Sequence, residues 1–559
     1  MKKQKLASIL LCAVMATSAL TACKVKTKDP VTADTLQIVV VARGYGAAYA
    51  KELARIYKRK TSVDAKVVLV TPDGGFADNQ VQAGPRSNKT DIYFANNNIF
   101  SMLSQKGLVD GYDYVWADLS EVYDAPAVGW KELEANPNLK NKDIFDAYAL
   151  DAITYKDNKQ YAVPWSMAVY GLLYNKTLWD RVNDRLDAGN KLELPKTTKE
   201  MFALWDRIKA LPAATRENAY VYSYSGLVDY NEMLFYSWWP QYESKEAIDK
   251  FLEGKDINGQ YTADIYNTEA RLQAFTAASE VLKRSNGYSD SISHSKDFLQ
   301  AQLEFLQGKA FFTPNGDWLE TEASSQFDPG EADVGFIKTP VLSSLANKLT
   351  SFNQFTGDGK IKGNTDQKDQ KLREMLDWID GGKTGDAPWT ISPADLAFLE
   401  NSRSRIASGC TEYQVLVPSY SAHLKEAKEF LKFMLSKEGQ EIMVSSAFGT
   451  MSPLRIDTKQ FDFYNPDPIG DKNSEKSTYM CNSKWELFRN SLPLTKTFNK
   501  YPMQYLGTMI PLRGLPYTLE AAFGVAVGTP KTPAEFQAVE YGYYDSMWKQ
   551  MMSDAGVSN

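Results

Sequence analysis

Short apolar runs that alternate with helical patterns predict a chain built from strands and helices in turn. Residues 36–41 form the first such run and predict a strand. A segment follows in which Leu53, Ala54 and Tyr57 recur at helical spacing, and residues 63–70 then predict a second strand. This alternation is typical of an α/β fold.

The longest apolar run, residues 167–174, has no polar face. A strand of this kind is expected to be buried on both sides and to lie in the middle of a sheet. Pro164 cannot donate a backbone hydrogen bond, so we expect a separate short extended piece there, with Trp165 where the chain crosses from one piece to the next. Asn175 follows the strand and favours the start of a helix.

A second helix start stands at Thr197. Glu200 follows three positions later, which is the spacing at which the two side chains cap each other's backbone N–H groups. The residues expected on the buried face of this helix are Met201, Leu204, Trp205 and Ile208.

Four stretches together resemble a known family. Residues 158–180 hold a Pro-aromatic pair and the sequence L-x-Y-N-K, residues 90–98 read TDIYFANNN, and residues 308–318 read GKAFFTPNGDW. Residues 429–455 contain EFLKFMLSKEGQ and a later Gly and Pro. In this order the motifs resemble the extracellular solute-binding proteins of bacterial ABC transporters, in the carbohydrate-binding group.

The resemblance implies an α/β, two-lobed, periplasmic-binding-protein-like (type II) fold with a hinge of crossover strands. It places residues 35–158 and 333–414 in lobe 1, and residues 159–332 and 415–559 in lobe 2. Residues 344–408 exceed the two-lobe pattern, so we expect them to be a surface insertion in lobe 1.

The amino terminus has the pattern of a secretory signal. Three lysines precede an apolar run over residues 6–19, which is too short to span a bilayer. The following Leu-Thr-Ala-Cys, ending at Cys23, resembles the bacterial lipobox. We therefore expect residues 1–22 to be removed, Cys23 to carry lipid, and residues 23–34 to form a polar leash.

Charge and cysteine content exclude some classes of protein. The net charge of −6 becomes more negative once the three signal lysines are removed, which argues against a nucleic-acid-binding surface. Beyond Cys23 only Cys410 and Cys481 remain, so the fold is expected to rest on large cores rather than on disulfides. Whether these two cysteines pair is open.

Motifs for catalysis or metal binding are scarce. The two histidines, His294 and His423, have no H-E-x-x-H pattern, and neither a CxxC pair nor a G-x-S-x-G motif occurs. Residues 467–475 resemble an oxygen-rich calcium loop, but their spacing fits no EF-hand. No cofactor, metal or catalytic residue is expected, although a glycoside hydrolase needs only two carboxyl groups, which leaves that alternative open.

Aromatic residues make up 12% of the chain, and flat rings beside polar side chains suit a sugar. The candidate ligand-binding residues near expected strand ends, crossovers and the cleft are Tyr45, Asn96, Asn97, Trp165, Trp238 and Trp239. The resemblance of residues 308–318 to the family's G-x-W segment implies that Asp317 and Trp318 also bind ligand. Adjacent tryptophans point to different sides of an element, so at most one of Trp238 and Trp239 is expected to meet ligand.

The resemblance implies a lipid-anchored binding component of an ABC importer on the extracellular face of the membrane. Its expected partners are a small solute, best an oligosaccharide, and the permease subunits; it is expected to act as a monomer and to bind no nucleic acid. A secreted glycoside hydrolase, a binding protein for a peptide or other solute, and an adhesin without a small ligand are the alternatives.

Overall fold

The computed structural model describes the greater part of the chain beyond residue 34. The described residues are 35–41, 44–71, 76–96, 100–103, 106–155, 157–227, 230–324, 326–327, 332–355, 365–408, 413–447, 450–455, 460–461, 492–495, 518–524 and 531–554. Residues Leu36–Asn559 form one compact unit. Cys23, Cys410, Cys481 and residues 467–475 lie outside the described residues.

Strands and helices alternate through most of the described chain. The strands are β1 (Thr35–Val41), β2 (Asp64–Val70), β3 (Ile92–Asn96), β4 (Val163–Pro164), β5 (Val169–Asn175), β6 (Tyr220–Tyr222), β7 (Ala310–Gly316), β8 (Val334–Ile337), β9 (Arg405–Ser408), β10 (Tyr413–Leu416) and β11 (Leu492–Thr495). The helices are α1 (Ala48–Thr61), α2 (Phe76–Gln82), α3 (Gly84–Ser87), α4 (Phe100–Leu103), α5 (Ser120–Tyr123), α6 (Glu132–Ala135), α7 (Ala147–Ile153), α8 (Lys176–Asp184), α9 (Thr198–Ala210), α10 (Glu232–Trp238), α11 (Lys245–Leu252), α12 (Glu269–Leu282), α13 (Phe298–Leu306), α14 (Leu319–Ala323), α15 (Thr365–Asp380), α16 (Pro393–Ser404), α17 (Leu424–Leu435), α18 (Lys437–Ser446), α19 (Leu519–Phe523) and α20 (Pro533–Asp554).

The first sheet has the strand order β2-β1-β3-β10-β4. Strands β1 and β3 are parallel, with Ile38 opposite Ile92. Strand β10 runs antiparallel to both β3 and β4, so a late segment of the chain returns to complete this sheet.

The second sheet has the order β11-β9-β5-β7-β6, and β8 also pairs with β5. Strand β5 is antiparallel to β7, β8 and β9, and most of its residues are buried. The expectation of a central strand in this region is confirmed. Asn175 ends that strand and caps α8, because its side chain accepts the backbone N–H of Leu178 at 2.8 Å.

The strand pairing differs from the predicted lobe boundaries. Strands β8 and β9, which were expected in lobe 1, pair with β5 in the second sheet. Strand β10 and the short β4 belong to the first sheet, and helix α18 packs against α1 beside that sheet. The apolar runs predicted strands here, but pairing between distant strands is decided by packing that no local pattern contains.

The predicted insertion also packs differently from expectation. Helices α15 and α16 bury Leu376 and Leu399, so they belong to a core and are not only a surface addition. The Thr197 hydroxyl donates to Asp369 of α15 at 2.8 Å, which joins this segment to the start of α9. The α15 part of the predicted insertion therefore lies against a helix that the prediction assigned to lobe 2.

The carboxyl-terminal helix α20 is tied to α12 by a buried ion pair. The Arg271 Nε–H donates to Glu540 at 2.8 Å, and both side chains are almost fully buried. The Arg271 guanidinium also lies over aromatic rings that include Phe235 and Trp239, at 4.9 and 5.1 Å from the ring centroids. Within the described residues, no helix combines the length and apolar character that crossing a membrane requires.

Candidate functional site

The two sheets are joined by a short crossing segment between β4 and β5. Its backbone is held from both sides, because Trp165 N–H donates to the Tyr413 carbonyl at 3.0 Å and Met167 N–H donates to the Met451 carbonyl at 2.8 Å. Ala168 has a φ of +46°, which is unfavourable for a residue with a side chain. The surrounding contacts therefore hold a strained backbone where the chain passes between the sheets.

Aromatic side chains from both sheets meet beside this segment. Tyr45 follows β1, and its ring centroid lies 5.1 Å from that of Trp165, 5.2 Å from Tyr413 and 6.3 Å from Trp318. These contacts are edge-to-face, the arrangement that aromatic quadrupoles favour. Tyr49 of α1 stacks on Trp165 at 4.5 Å and closes the cluster from the other side.

A buried carboxylate from the second sheet lies at the centre of the polar contacts. Asp317 follows β7, is fully buried, and accepts the hydroxyl proton of Tyr45 at 2.5 Å. It also accepts the Met451 N–H at 2.8 Å and the Thr450 hydroxyl at 3.4 Å. Its own N–H donates to the Val169 carbonyl at 3.0 Å, which fixes it against β5.

Ser166 extends this network through the crossing segment. Its hydroxyl donates to the Tyr45 oxygen at 3.1 Å and lies 2.8 Å from the Thr450 hydroxyl. Burial, followed by the charge of Asp317, raises the pKa of Tyr45 well above its usual value. The Tyr45 hydroxyl therefore stays protonated and keeps its role as the donor to Asp317 at physiological pH.

The backbone of two glycines, Gly44 and Gly316, lies close against the Trp318 side chain. A Cβ placed on Gly44 would lie 2.7 Å from the Trp318 Cβ, and one placed on Gly316 would collide with the indole ring. Gly44 precedes Tyr45 in the loop after β1, whereas Gly316 ends β7, so the indole packs between the first and second sheets. The side chain is 8% exposed.

A second carboxyl group borders the same contact. Burial raises the pKa of Glu322, in α14, to about 7, and the Gln302 amide that donates to it at 2.6 Å partly offsets this effect. A Cβ on Gly44 would lie 2.8 Å from Glu322 Oε1. This carboxyl group thus faces the same loop that carries Tyr45.

The rings fill most of the space that they enclose. The small pocket bordered by Tyr45, Tyr49, Trp165 and Tyr413 does not admit a water molecule between the described side chains. A solute that touches these rings must therefore separate them or move one aside.

The structure brings together four of the predicted residues, namely Tyr45, Trp165, Asp317 and Trp318. Sequence reasoning missed the residues that complete their contacts: Tyr49, Ser166, Glu322, Tyr413, Thr450 and Met451. Ser166 could have been predicted, because it directly follows the predicted site residue Trp165. Thr450 and Met451 could not, because they reach the site only through tertiary packing.

Trp238 and Trp239 do not join this cluster, which corrects their prediction as site residues. The Trp238 indole N–H donates to the Pro340 carbonyl at 3.1 Å, and Trp239 packs between Phe251 and the Arg271 guanidinium. Both indoles are buried within the helical core around the second sheet, because α10 turns both faces towards protein.

Asn96 ends β3, where its backbone pairs with Tyr413 beside the aromatic cluster. The side chain of Asn96 and the whole of Asn97 lie outside the described residues. The prediction that their amides bind ligand stays a prediction.

Comparison with known proteins gives a consistent family match. The family model described as bacterial extracellular solute-binding protein matches residues 42–441. No curated protein matches the chain.

Solved structures resemble the chain over nearly its whole length. A solute-binding protein from Thermotoga lettingae TMO bound with α-D-tagatose has a TM-score of 0.52 and 14% identity, covering 92% of this chain and 100% of its own. The solute-binding protein RafE in complex with raffinose has a TM-score of 0.51 and 14% identity, covering 92% and 99%. A protein described in the context of xylan utilisation by Caldanaerobius polysaccharolyticus has a TM-score of 0.50 and 14% identity, covering 91% and 99%.

Removing the Tyr45 hydroxyl tests the contact between the sheets. We expect Tyr45→Phe to lower the free energy of unfolding by about 1 to 3 kcal/mol, because it leaves the buried Asp317 carboxylate without one of its donors. Chemical denaturation measures the change. Tyr49→Phe is the matched control, since the Tyr49 hydroxyl has no hydrogen-bond partner among the described residues. Equal effects of the two variants would contradict the prediction.

Glu322 predicts a pH-dependent stability. Its folded pKa is above the usual value, so the folded protein keeps this proton while the unfolded chain loses it, and stability falls as the pH rises from about 4.5 to 7. We expect Glu322→Gln to stabilise the protein by roughly 1 to 3 kcal/mol at pH 8. The gain should disappear near pH 4, and a gain that is independent of pH in denaturation experiments would rule out the assignment.

Proposed function

The chain belongs to the bacterial extracellular solute-binding proteins and has their two-lobed α/β fold, and on this premise we propose that it captures a sugar or oligosaccharide where its two sheets meet. The family consists of binding proteins. The segment 165–168, which connects β4 of the first sheet to β5 of the second, is the crossing about which the two lobes would close.

The observation that carries this proposal is the convergence of Tyr45, Trp165, Asp317 and Trp318. They come from three distant segments of the chain and from both sheets, yet they form one cluster of rings around one carboxylate. Sugars present apolar C–H faces ringed by hydroxyl groups, and flat rings beside a hydrogen-bond acceptor match both features. Asp317 is the acceptor that a pair of sugar hydroxyls would use.

Solute binding would exchange contacts that the protein already makes. A sugar hydroxyl that donates to Asp317 replaces the Tyr45 hydroxyl, and a sugar ring between Trp165 and Trp318 replaces the ring contacts of Tyr45. Because the solute then touches both sheets, it binds the closed arrangement better than an open one and shifts the population towards it. The Tyr45–Asp317 contact sets the free energy against which a solute must compete.

The ligands of similar proteins support a sugar as the solute. Two of the structures that resemble this chain hold α-D-tagatose and raffinose. A library of monosaccharides and oligosaccharides is therefore the first screen, read by thermal unfolding. A ligand at a hundred times its Kd adds about 2.7 kcal/mol to stability.

Trp318 provides the sharpest test of the site. We expect Trp318→Ala to weaken binding of the sugar found in that screen by about 2 kcal/mol or more, because the variant removes one of the stacking faces. Calorimetric titration of the folded variant measures the affinity. Trp179 is the matched control, since it is 7% exposed and packs on Phe312 and Tyr174 away from the site.

The control separates the loss of a site residue from a general loss of core packing. Trp179→Ala should lower the melting temperature, as truncation of a buried tryptophan does, while leaving the affinity unchanged. If Trp318→Ala also leaves the affinity unchanged, Trp318 is a core residue and not part of the site.

Hydrolysis of the bound sugar is the second candidate function, and Glu322 is the observation that favours it. A carboxyl group with a pKa near 7 suits the general acid of a glycoside hydrolase, which also needs a second carboxylate, and Asp317 precedes Glu322 by five residues. We nevertheless propose binding alone, because Asp317 is already engaged by Tyr45 and Met451. Chromatography after long incubation with the bound oligosaccharide should show no product; product that Glu322→Gln abolishes would establish hydrolysis.

We also propose that Cys23 carries lipid and holds the protein, as a monomer, on the extracellular face of the membrane beside the ABC permease. The basic residues, the apolar run and Leu-Thr-Ala-Cys support this proposal. In a bacterial expression host, Cys23→Ser should move the protein from the membrane fraction to the soluble fraction. A Cys23→Ser protein that still partitions wholly with membranes would show that another feature anchors it.

A further inference from the structure

A separate cavity of about 500 Å³ lies among the helices beside the second sheet. Its walls come from the 3-10 turn Trp239–Tyr242, from α11, from residues 255–257 and from the start of α12. None of these residues contributes to the cluster around Tyr45 and Asp317. The volume is within the range of sites that hold small molecules.

The inner wall of this cavity is apolar. Trp239, Phe251, Ile265 and Ala270 line it and are themselves nearly fully buried, which means that the wall is formed by packed core residues. A wall of this kind favours a ligand with an apolar body. Ile257, which is 54% exposed, is also part of the lining.

Negative charge predominates in the lining. Four carboxyl groups, Glu243, Asp256, Asp264 and Glu269, stand against two amines, Lys255 and Lys348. This excess of acidic groups around an apolar wall favours a cationic ligand over a neutral or anionic one.

The two lysines do not compensate this excess. Lys255 pairs at 3.0 Å with Glu253, which is not part of the lining, and the opposite charge next to Lys348 is that of Glu243. Among the described side chains, none of the other three carboxyl groups lies within ion-pair distance of a lysine or arginine.

The lysines show which chemistry this surface accepts. Lys348 Nζ lies 4.9 Å from the centroid of the Tyr242 ring, and Lys255 Nζ lies 5.0 Å from that of Tyr261. Both ammonium groups thus sit on aromatic faces in acidic surroundings, where electrostatic attraction to the ring adds to that of the carboxylates.

Asp256 accepts hydrogen bonds from Asn258 and Gln260, and Glu269 accepts one from Gln273. These donors are neutral, so a ligand ammonium group beside the two carboxylates would be attracted by their negative charge.

We propose that this cavity is a second ligand site, for a small amphipathic ammonium compound whose apolar body lies against Trp239 and Phe251 and whose charge faces Asp256 and Glu269. The inference does not depend on the identity of the solute bound between the sheets. In this proposal the acidic residues that line the cavity bind the ligand's positive charge, and they take no part in sugar binding.

Three small molecules with the same aromatic group but different charges distinguish the contribution of charge to binding from that of apolar contact. We expect calorimetric titration of the purified full chain to show that phenethylammonium binds at least about tenfold more tightly than phenylethanol, and that phenylacetate does not bind. The affinity of the amine should fall as the salt concentration rises, because the lining carboxylates are near solvent. Equal affinity for the amine and the alcohol would overturn the proposal, as would absence of binding by the amine.

Two variants locate the binding. Asp256→Asn with Glu269→Gln should weaken the amine about tenfold or more while leaving phenylethanol unchanged, and Ala247→Trp should fill the cavity and abolish binding of both. Glu134→Gln, an exposed acid on α6, is the control for net charge and should have no effect.

The sugar site provides the remaining control. Trp318→Ala should leave amine binding intact, and loss of amine binding in that variant would place the amine between the sheets. If Ala247→Trp folds poorly, the variant that combines Asp256→Asn with Glu269→Gln decides the question. An unchanged affinity of that variant for the amine contradicts the proposal.

Discussion

The hydrogen bond from the Tyr45 hydroxyl to the Asp317 carboxylate is the contact on which the arrangement of the two sheets depends. A fully buried carboxylate is tolerated only where donors surround it. Here Tyr45 comes from the loop after β1 and the Met451 N–H from a segment near the end of α18, whereas Asp317 itself follows β7. The need to satisfy one charge therefore holds three distant segments in place.

The same contact also explains why the arrangement can change. The rings of Tyr45 and Trp318 meet edge to face across the sheets. A solute that offers hydroxyls and an apolar face would replace that contact and the hydrogen bond to Asp317. Ala168, with its unfavourable φ, lies in the segment that would have to turn. Strain that the surrounding contacts maintain is typical of hinges and ligand sites.

Local features of the fold could be predicted, because each depends on a few neighbouring residues. The Thr197–Glu200 capping box opens α9, whose buried residues include Met201, Leu204, Trp205 and Ile208, all as expected. The pairing of β8 with β5, the pairing of β10 with β3 and β4, and the packing of α15 could not be predicted, because these contacts are set by tertiary structure. Trp238 and Trp239 show the same limit, because core and cleft tryptophans look alike in sequence. Asp317 and Trp318 were selected through the resemblance of residues 308–318 to a family segment, and their role in ligand binding stays a prediction.

The central claim is that a sugar bound between the sheets changes how they are held together, and a distance measurement tests it most directly. Spin labels can be placed at Leu69 in β2 and Tyr220 in β6, which are 44% and 42% exposed, after the native cysteines are replaced by serine. Pulsed electron resonance should give a distribution of distances at sugar saturation whose mean differs from that without sugar, because the solute replaces the Tyr45–Asp317 contact between the sheets. An unchanged distribution, with calorimetry showing the sugar bound, would contradict the account.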